Sequence, residues 1–225
     1  MFSIFRDADQ LESVEQQLLE MLGSCQDAFR LATGCLLGES DVDSNAEAVL
    51  ALDKDINRME RAIRRELLIH GTVRGAEVDQ GLMLTYMSLA KDAERIGDKC
   101  KDILELAQMG ADFTNSDDTA ELVEHRNHVA ELIKETRETF AEQDTERVHE
   151  LIQLIEEDES HYDRHVTRFV MSTEPSRHAA PRALFYRYIK RISGHLANIL
   201  SSVVMPVDRL DFYNPEKAID EGDED

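Results

Sequence analysis

Between positions 49 and 67 the apolar residues Val49, Leu52, Ile56, Met59, Ile63 and Leu67 recur at steps of three or four, the spacing that gives an α-helix one buried face. Almost the whole chain keeps this period. Only 4 Pro and 10 Gly interrupt its 225 residues, and the segments between them are rich in good helix formers. The spacing predicts helices over 10–37, from a cap at Asp43 or Ser44 to Gly71 and Gly75, and over 77–109, 119–142, 145–171 and 182–204. Breaks are expected at Gly38 to Asp41, at Gly110, over 172–181 with Pro175 and Pro181, and at Pro206. The expected fold class is all-α.

Six helices in two sets of three suggest an internal repeat, and the residues support it. The stretch Ala93 to Ile103 aligns with Ile189 to Ile199, placing Ile96 on Ile192, 96 positions later, and Arg95 on Arg191. In the middle helices Asp53-xxx-Asn57 faces Glu159-xxx-Asp163, and Ile63 faces Phe169. Two tandem three-helix bundles of antiparallel, up-down helices are expected, over 1–112 and 113–208, with an acidic and disordered tail over 209–225.

The strongest local pattern is Glu94-Arg95-Ile96-Gly97-Asp98, followed by Asp102. Residues four apart share a helical face with Cβ atoms about 6 Å apart, so Glu94, Asp98 and Asp102 form a three-rung carboxylate ladder. Like charges so placed repel, and a hard cation such as Mg, Mn, Fe or Ca relieves the repulsion. One ladder is too few oxygens for firm binding; Asp53, Asn57 and Glu60, flanking the stripe of the second helix, are the expected counterparts. The competing reading is a solvated helix face: a helical wheel sets the ladder opposite the apolar side, with Lys91 and Lys101 available to answer its charge. Gly97 in mid-helix needs a reason, since glycine there costs about 1 kcal/mol relative to alanine, and close approach of a neighbouring helix supplies one.

The second repeat loses the ladder: Lys190, Gly194 and Asn198 replace Glu94, Asp98 and Asp102. A full second site is not expected there, although His195, Asn198, Glu159 and Asp163 remain as donors. His161 and His165, at i and i+4, are spaced to grip a transition metal, but surface helices carry such pairs by chance. Met83, Met87, Phe185 and Tyr188 are expected in the core.

The helix order, the Glu94 to Asp98 motif, the following Asp102-Ile103 pair and Asp53-xxx-Asn57 together resemble the PhoU family, over roughly 18–208. The resemblance implies two three-helix repeats and a non-enzymatic regulator of phosphate uptake and phosphate signalling. It further implies that metal ions (Fe, Mn, Zn or Mg) bind through the acidic motifs, and that the chain contacts a phosphate transporter component or its sensor kinase.

Bulk properties agree. Lys+Arg 25 against Asp+Glu 47 give a net charge of −22, which argues against binding nucleic acid or an anionic membrane; a salt-rich habitat is an alternative source of the acidity. Cys25, Cys35 and Cys100 have no zinc-finger spacing, no run approaches a membrane span, and the N-terminus lacks the pattern of a signal peptide. A cytoplasmic protein is expected, with a homodimer among its allowed states. Two rivals share the fold class. One is a helical interaction module without metal. The other is a di-metal carboxylate oxidase, which needs Glu-x-x-His on two helices, whereas only Glu146 to His149 provides one.

Overall fold

A computed structural model describes residues 2–74, 79–114, 116–205 and 207–210. Six antiparallel α-helices form two three-helix repeats: α1 (Phe2–Leu36), α2 (Val42–Arg74) and α3 (Gln80–Gln108), then α4 (Thr119–Glu142), α5 (Thr145–Val170) and α6 (Ser176–Val204). A 3-10 turn, Val207–Arg209, follows. Most of the expected acidic tail, 211–225, lies outside the described residues, as do Gly75, Glu77 and Pro206.

The helix ends follow local chemistry. Gly38 takes φ +66 after α1, a left-handed conformation that glycine adopts without strain. The cap of α2 is Asp41 and neither Asp43 nor Ser44: its Oδ2 accepts from the Ser44 backbone N–H at 2.9 Å. Asp79 and Asp144 cap α3 and α5 in the same way. Three expected boundaries differ. Helix α1 extends back to Phe2, and Gly71 lies inside α2, where an added Cβ would sit 2.9 Å from Met83 Cε. Helix α6 starts at Ser176, six residues before the expected start, with Pro181 inside it. A proline in the second turn forfeits one backbone bond, and burial of Ala179 and Arg182 around it outweighs that loss.

Within the first repeat α1, α2 and α3 each pack on the other two, around Leu22, Phe29, Ile56, Ile63, Ile96 and Ile103. In the second, α5 packs chiefly on α6 and touches α4 only sparsely. The repeats join through α3 against α6 and α1 against α4. The α3–α6 contact is reciprocal, as an approximate two-fold axis requires. On one side His195 Nδ1 of α6 lies 2.8 Å from Asp92 Oδ1 of α3. On the other, Lys99 of α3 lies over the ring of Tyr188 of α6. Asp92 and Tyr188, like Lys99 and His195, stand 96 positions apart, the offset that aligns the motifs.

Candidate functional site

The ladder residues lie along the seam between α2 and α3. Glu94 is buried, and Asp98 and Asp102 are half-buried. The expectation of a solvated face therefore fails for Glu94. A helical wheel assumes one buried stripe, whereas α3 is packed against α1, α2 and α6 together, and its buried residues extend around most of its circumference.

Gly97 permits the seam. A Cβ there would meet Ile56 Cδ1 at 2.9 Å and Cγ2 at 3.3 Å, so α2 approaches α3 where only a hydrogen fits. This brings Glu60 near Glu94, with Lys91 between them: its Nζ is 2.5 Å from Glu94 Oε2 and 4.0 Å from Glu60 Oε1. Arg64 Nη2 lies 3.0 Å from the same Glu60 oxygen but off the line of a hydrogen bond, leaving that buried atom without a hydrogen-bond donor. Burial pushes the Asp98 carboxyl above its usual range; Glu94 and Asp53 push it further, against Lys101 and Lys91. Asp53, Glu60, Glu94 and Asp98 thus share one region of negative potential.

Two expected members contribute less. Asp102 is ion-paired with Lys99, a cation that spacing did not single out. Asn57 donates its amide to the Asp53 carbonyl at 2.9 Å, keeping only its side-chain oxygen for a ligand. Among the described residues no three carboxylates bring oxygens within 4.8 Å of one another. The donor set nonetheless fits a hard cation: its oxygens suit one chemically, and one buried Glu60 oxygen, though ion-paired with Arg64, lacks a hydrogen-bond donor. Glu60, Glu94, Asp98 and Asp53 are the residues placed to hold one.

The equivalent seam between α5 and α6 supplies its own cation. Lys190, in the place of Glu94, is ion-paired with Asp163. Gly194, in the place of Asp98, lies against Glu159, whose Oε1 is 2.8 Å from where a Cβ would stand. His195 and Asn198 both turn instead to the buried Asp92, so their role joins the repeats.

A second cluster lies between α4 and α5. His161 Nε2 is 3.2 Å from His125 Nε2 and 3.1 Å from His165 Nε2. One ring nitrogen from each falls within 4.8 Å of the other two, the one such group of His, Cys, Asp or Glu among the described residues. Burial, and the neighbouring His161 and His165, push His125 down to about 4. The i, i+4 spacing of His161 and His165 signalled half of this group. His125, 36 residues earlier on another helix, gave no local signal.

The PhoU domain model matches residues 18–107. The phosphate-specific transport system accessory protein PhoU homolog of Clostridium acetobutylicum is 24% identical over 201 residues, which cover 86% of this chain and 90% of that protein. Its counterpart from Synechocystis sp. is 34% identical over 99 residues, 43% of each chain. Among solved structures, PhoU from Pseudomonas aeruginosa superposes with a TM-score of 0.75 at 24% identity, over 88% of this chain and 96% of its own. The phosphate transport system regulatory protein PhoU from Streptococcus pneumoniae gives 0.71 at 18% identity, over 92% and 97%. These relatives are named as accessory or regulatory proteins, not as enzymes. The first repeat thus matches a PhoU domain, and nearly the whole length of the chain shares the fold of the solved PhoU structures.

Proposed function

We propose that the chain is a non-enzymatic, cytoplasmic accessory regulator of a phosphate transport system, and that it holds a divalent or trivalent metal ion between α2 and α3. The observation that carries this reading is the intact Glu94 to Asp98 motif, inside the PhoU-matching residues and set against Asp53 and Glu60. A bound cation supplies positive charge to carboxylates that otherwise repel. Glu94 and Asp98 present oxygens from α3, Asp53 and Glu60 from α2, and Asp102 and Asn57 extend the set along the helices. Joined by a shared ion, the two helices keep a fixed spacing, and the acidic face of the first repeat keeps one shape for its partner. That partner is a component of the phosphate transporter or its sensor kinase, and docking damps uptake or signalling when phosphate is plentiful.

The test has two arms. Protein purified without chelators is analysed for Fe, Mn, Zn and Mg, beside a Glu94→Gln/Asp98→Asn variant. In cells, a deletion strain complemented by either form is assayed for phosphate uptake and phosphate-responsive expression. Metal in the parent chain that is lost from the variant, with regulation disturbed in the deletion strain, is the expected result. Unchanged uptake and expression on deletion would overturn the regulatory role, and metal retained by the variant would overturn the site.

A further inference from the structure

We infer that His125, His161 and His165 form a second metal site, chemically distinct from the acidic seam, that takes one divalent transition-metal ion of the zinc class between α4 and α5. Its donors are three imidazoles, which suit Zn, Ni, Co and Cu, whereas carboxylates suit harder ions.

The geometry is close to that of a filled site. Zinc held by imidazoles at about 2.0–2.1 Å in a tetrahedron sets its ligand nitrogens about 3.4 Å apart. The two separations from His161 Nε2, 3.2 and 3.1 Å, need widen by only a few tenths of an ångström, and the third pair of nitrogens lies within 4.8 Å. A fourth position is available to water or to Glu121, whose Oε1 lies 3.7 Å from His165 Nε2. The rings are held in place: His165 stacks on Tyr186 with centroids 4.2 Å apart, and His125 packs edge-on against Tyr162.

Proton positions follow from the partners. Arg164 Nη2 lies 3.2 Å from His161 Nδ1, and arginine only donates, so His161 carries its proton on Nε2. That single proton faces two acceptors, the Nε2 atoms of His125 and His165, whose own protons are therefore on Nδ1. His125 Nδ1–H then donates to Tyr186 Oη at 3.2 Å, the kind of outer hydrogen bond that orients a ligating histidine. His165 Nδ1 is buried and has no partner. Hydrogen bonding among the three rings thus leaves one buried donor unmet, while two of the rings already present the lone pair a metal needs. A metal ion takes the His161 Nε2 lone pair once the ring proton has moved, through solvent, to Nδ1, which the exposed Arg164 vacates by swinging outward. The ion would tie α5 to α4, which it otherwise touches only sparsely.

The experiment uses the full chain without a polyhistidine tag, stripped by a chelator and titrated with Zn²⁺, and with Co²⁺ as a visible probe. One tight equivalent is expected, with the intense visible bands of tetrahedral Co²⁺. Ring ¹⁵N resonances should shift for His125, His161 and His165 among the 8 histidines. His161→Gln, at a half-exposed position, should weaken zinc binding by more than the roughly 10–100-fold typical of losing an outer partner, while Glu94→Gln/Asp98→Asn should leave it intact. Zinc binding undiminished in His161→Gln, or these three ring signals unmoved at saturating zinc, would overturn the assignment. The resonance measurement needs only the parent chain, so it decides the matter even if a variant misfolds. Loss of the zinc equivalent in the Glu94/Asp98 variant with unmoved rings would assign the ion to the acidic seam.

Discussion

Gly97 offers the sharpest test of how the two motif helices meet. Replacing a mid-helix glycine by alanine ordinarily gains about 1 kcal/mol. Here the new methyl would stand 2.9 Å from Ile56 Cδ1, 3.3 Å from Cγ2 and 3.7 Å from Cβ, against a comfortable carbon–carbon distance of about 3.5–4.0 Å. Cδ1 can turn about χ2, but Cγ2 is fixed by the single χ1 rotamer a β-branched residue favours in a helix. Some separation of α2 from α3 must follow. Overpacking of this kind costs about 1–3 kcal/mol, so Gly97→Ala should destabilise by about 0–2 kcal/mol once its gain in helix propensity is subtracted.

Ile56→Val removes Cδ1 and should alone cost about 0.5–1.5 kcal/mol. In the double variant the valine withdraws the closest atom and the alanine methyl fills the space it leaves. The pair should therefore be no less stable than Ile56→Val, with a favourable coupling of about 1 kcal/mol. Urea unfolding followed by far-UV circular dichroism, with unchanged m-values, measures all four corners of the cycle. Additivity within about 0.3–0.5 kcal/mol, or a Gly97→Ala variant stabilised by its full helix-propensity gain, would refute the close contact.

Gly194→Ala, the near-equivalent change in the second repeat, should instead stabilise by about 0.5–1 kcal/mol, because the atom in its way is the flexible end of the half-buried Glu159; a rise of a few degrees in Tm checks it. Arg182→Ala should cost about 3–5 kcal/mol in chemical denaturation, since Arg182 holds Asp118 through two hydrogen bonds of 2.6 and 3.0 Å while buried to 3% exposure. Arg182→Lys should recover only part of that, lacking the planar fork. The Asp158 carboxylate holds His128 above its usual value, with Glu135 and Glu124 adding to its pull. The associated stability is complete below pH about 6.5 and fades as pH rises through the raised value, so His128→Gln should flatten the alkaline loss seen in urea titrations across that window.

The period of the apolar residues made the helices legible, and the 96-residue offset made the repeat legible, because both are set by chain-local geometry. Boundaries went astray where tertiary burial outweighed a local breaker, as with Pro181 inside α6 and Gly71 inside α2. At the site, Gly97 pointed to a close neighbour, which Ile56 proves to be. Burial of Glu94 was not legible, because it depends on how many helices surround α3. His125 and Asp92 were invisible for a related reason: each gains its meaning from a partner on another helix, at a separation no local pattern encodes.

The two repeats solve one electrostatic problem in different ways. At the α2–α3 seam five acids, Asp53, Glu60, Glu94, Asp98 and Asp102, face Lys91, Lys99, Lys101 and Arg64. At the α5–α6 seam two acids, Glu159 and Asp163, face Lys190, Arg187 and Arg191. Lys190 is a cation fixed in the chain at the position where the first repeat has Glu94, so the second seam neutralises itself in every condition. The first seam has reversed that sign and keeps an oxygen of Glu60 unsatisfied. Folding alone would favour the self-neutral arrangement, which avoids the repulsion that burial of like charges entails. Under the proposed function, an ion held between α2 and α3 offsets that repulsion, within the residues that match the PhoU domain.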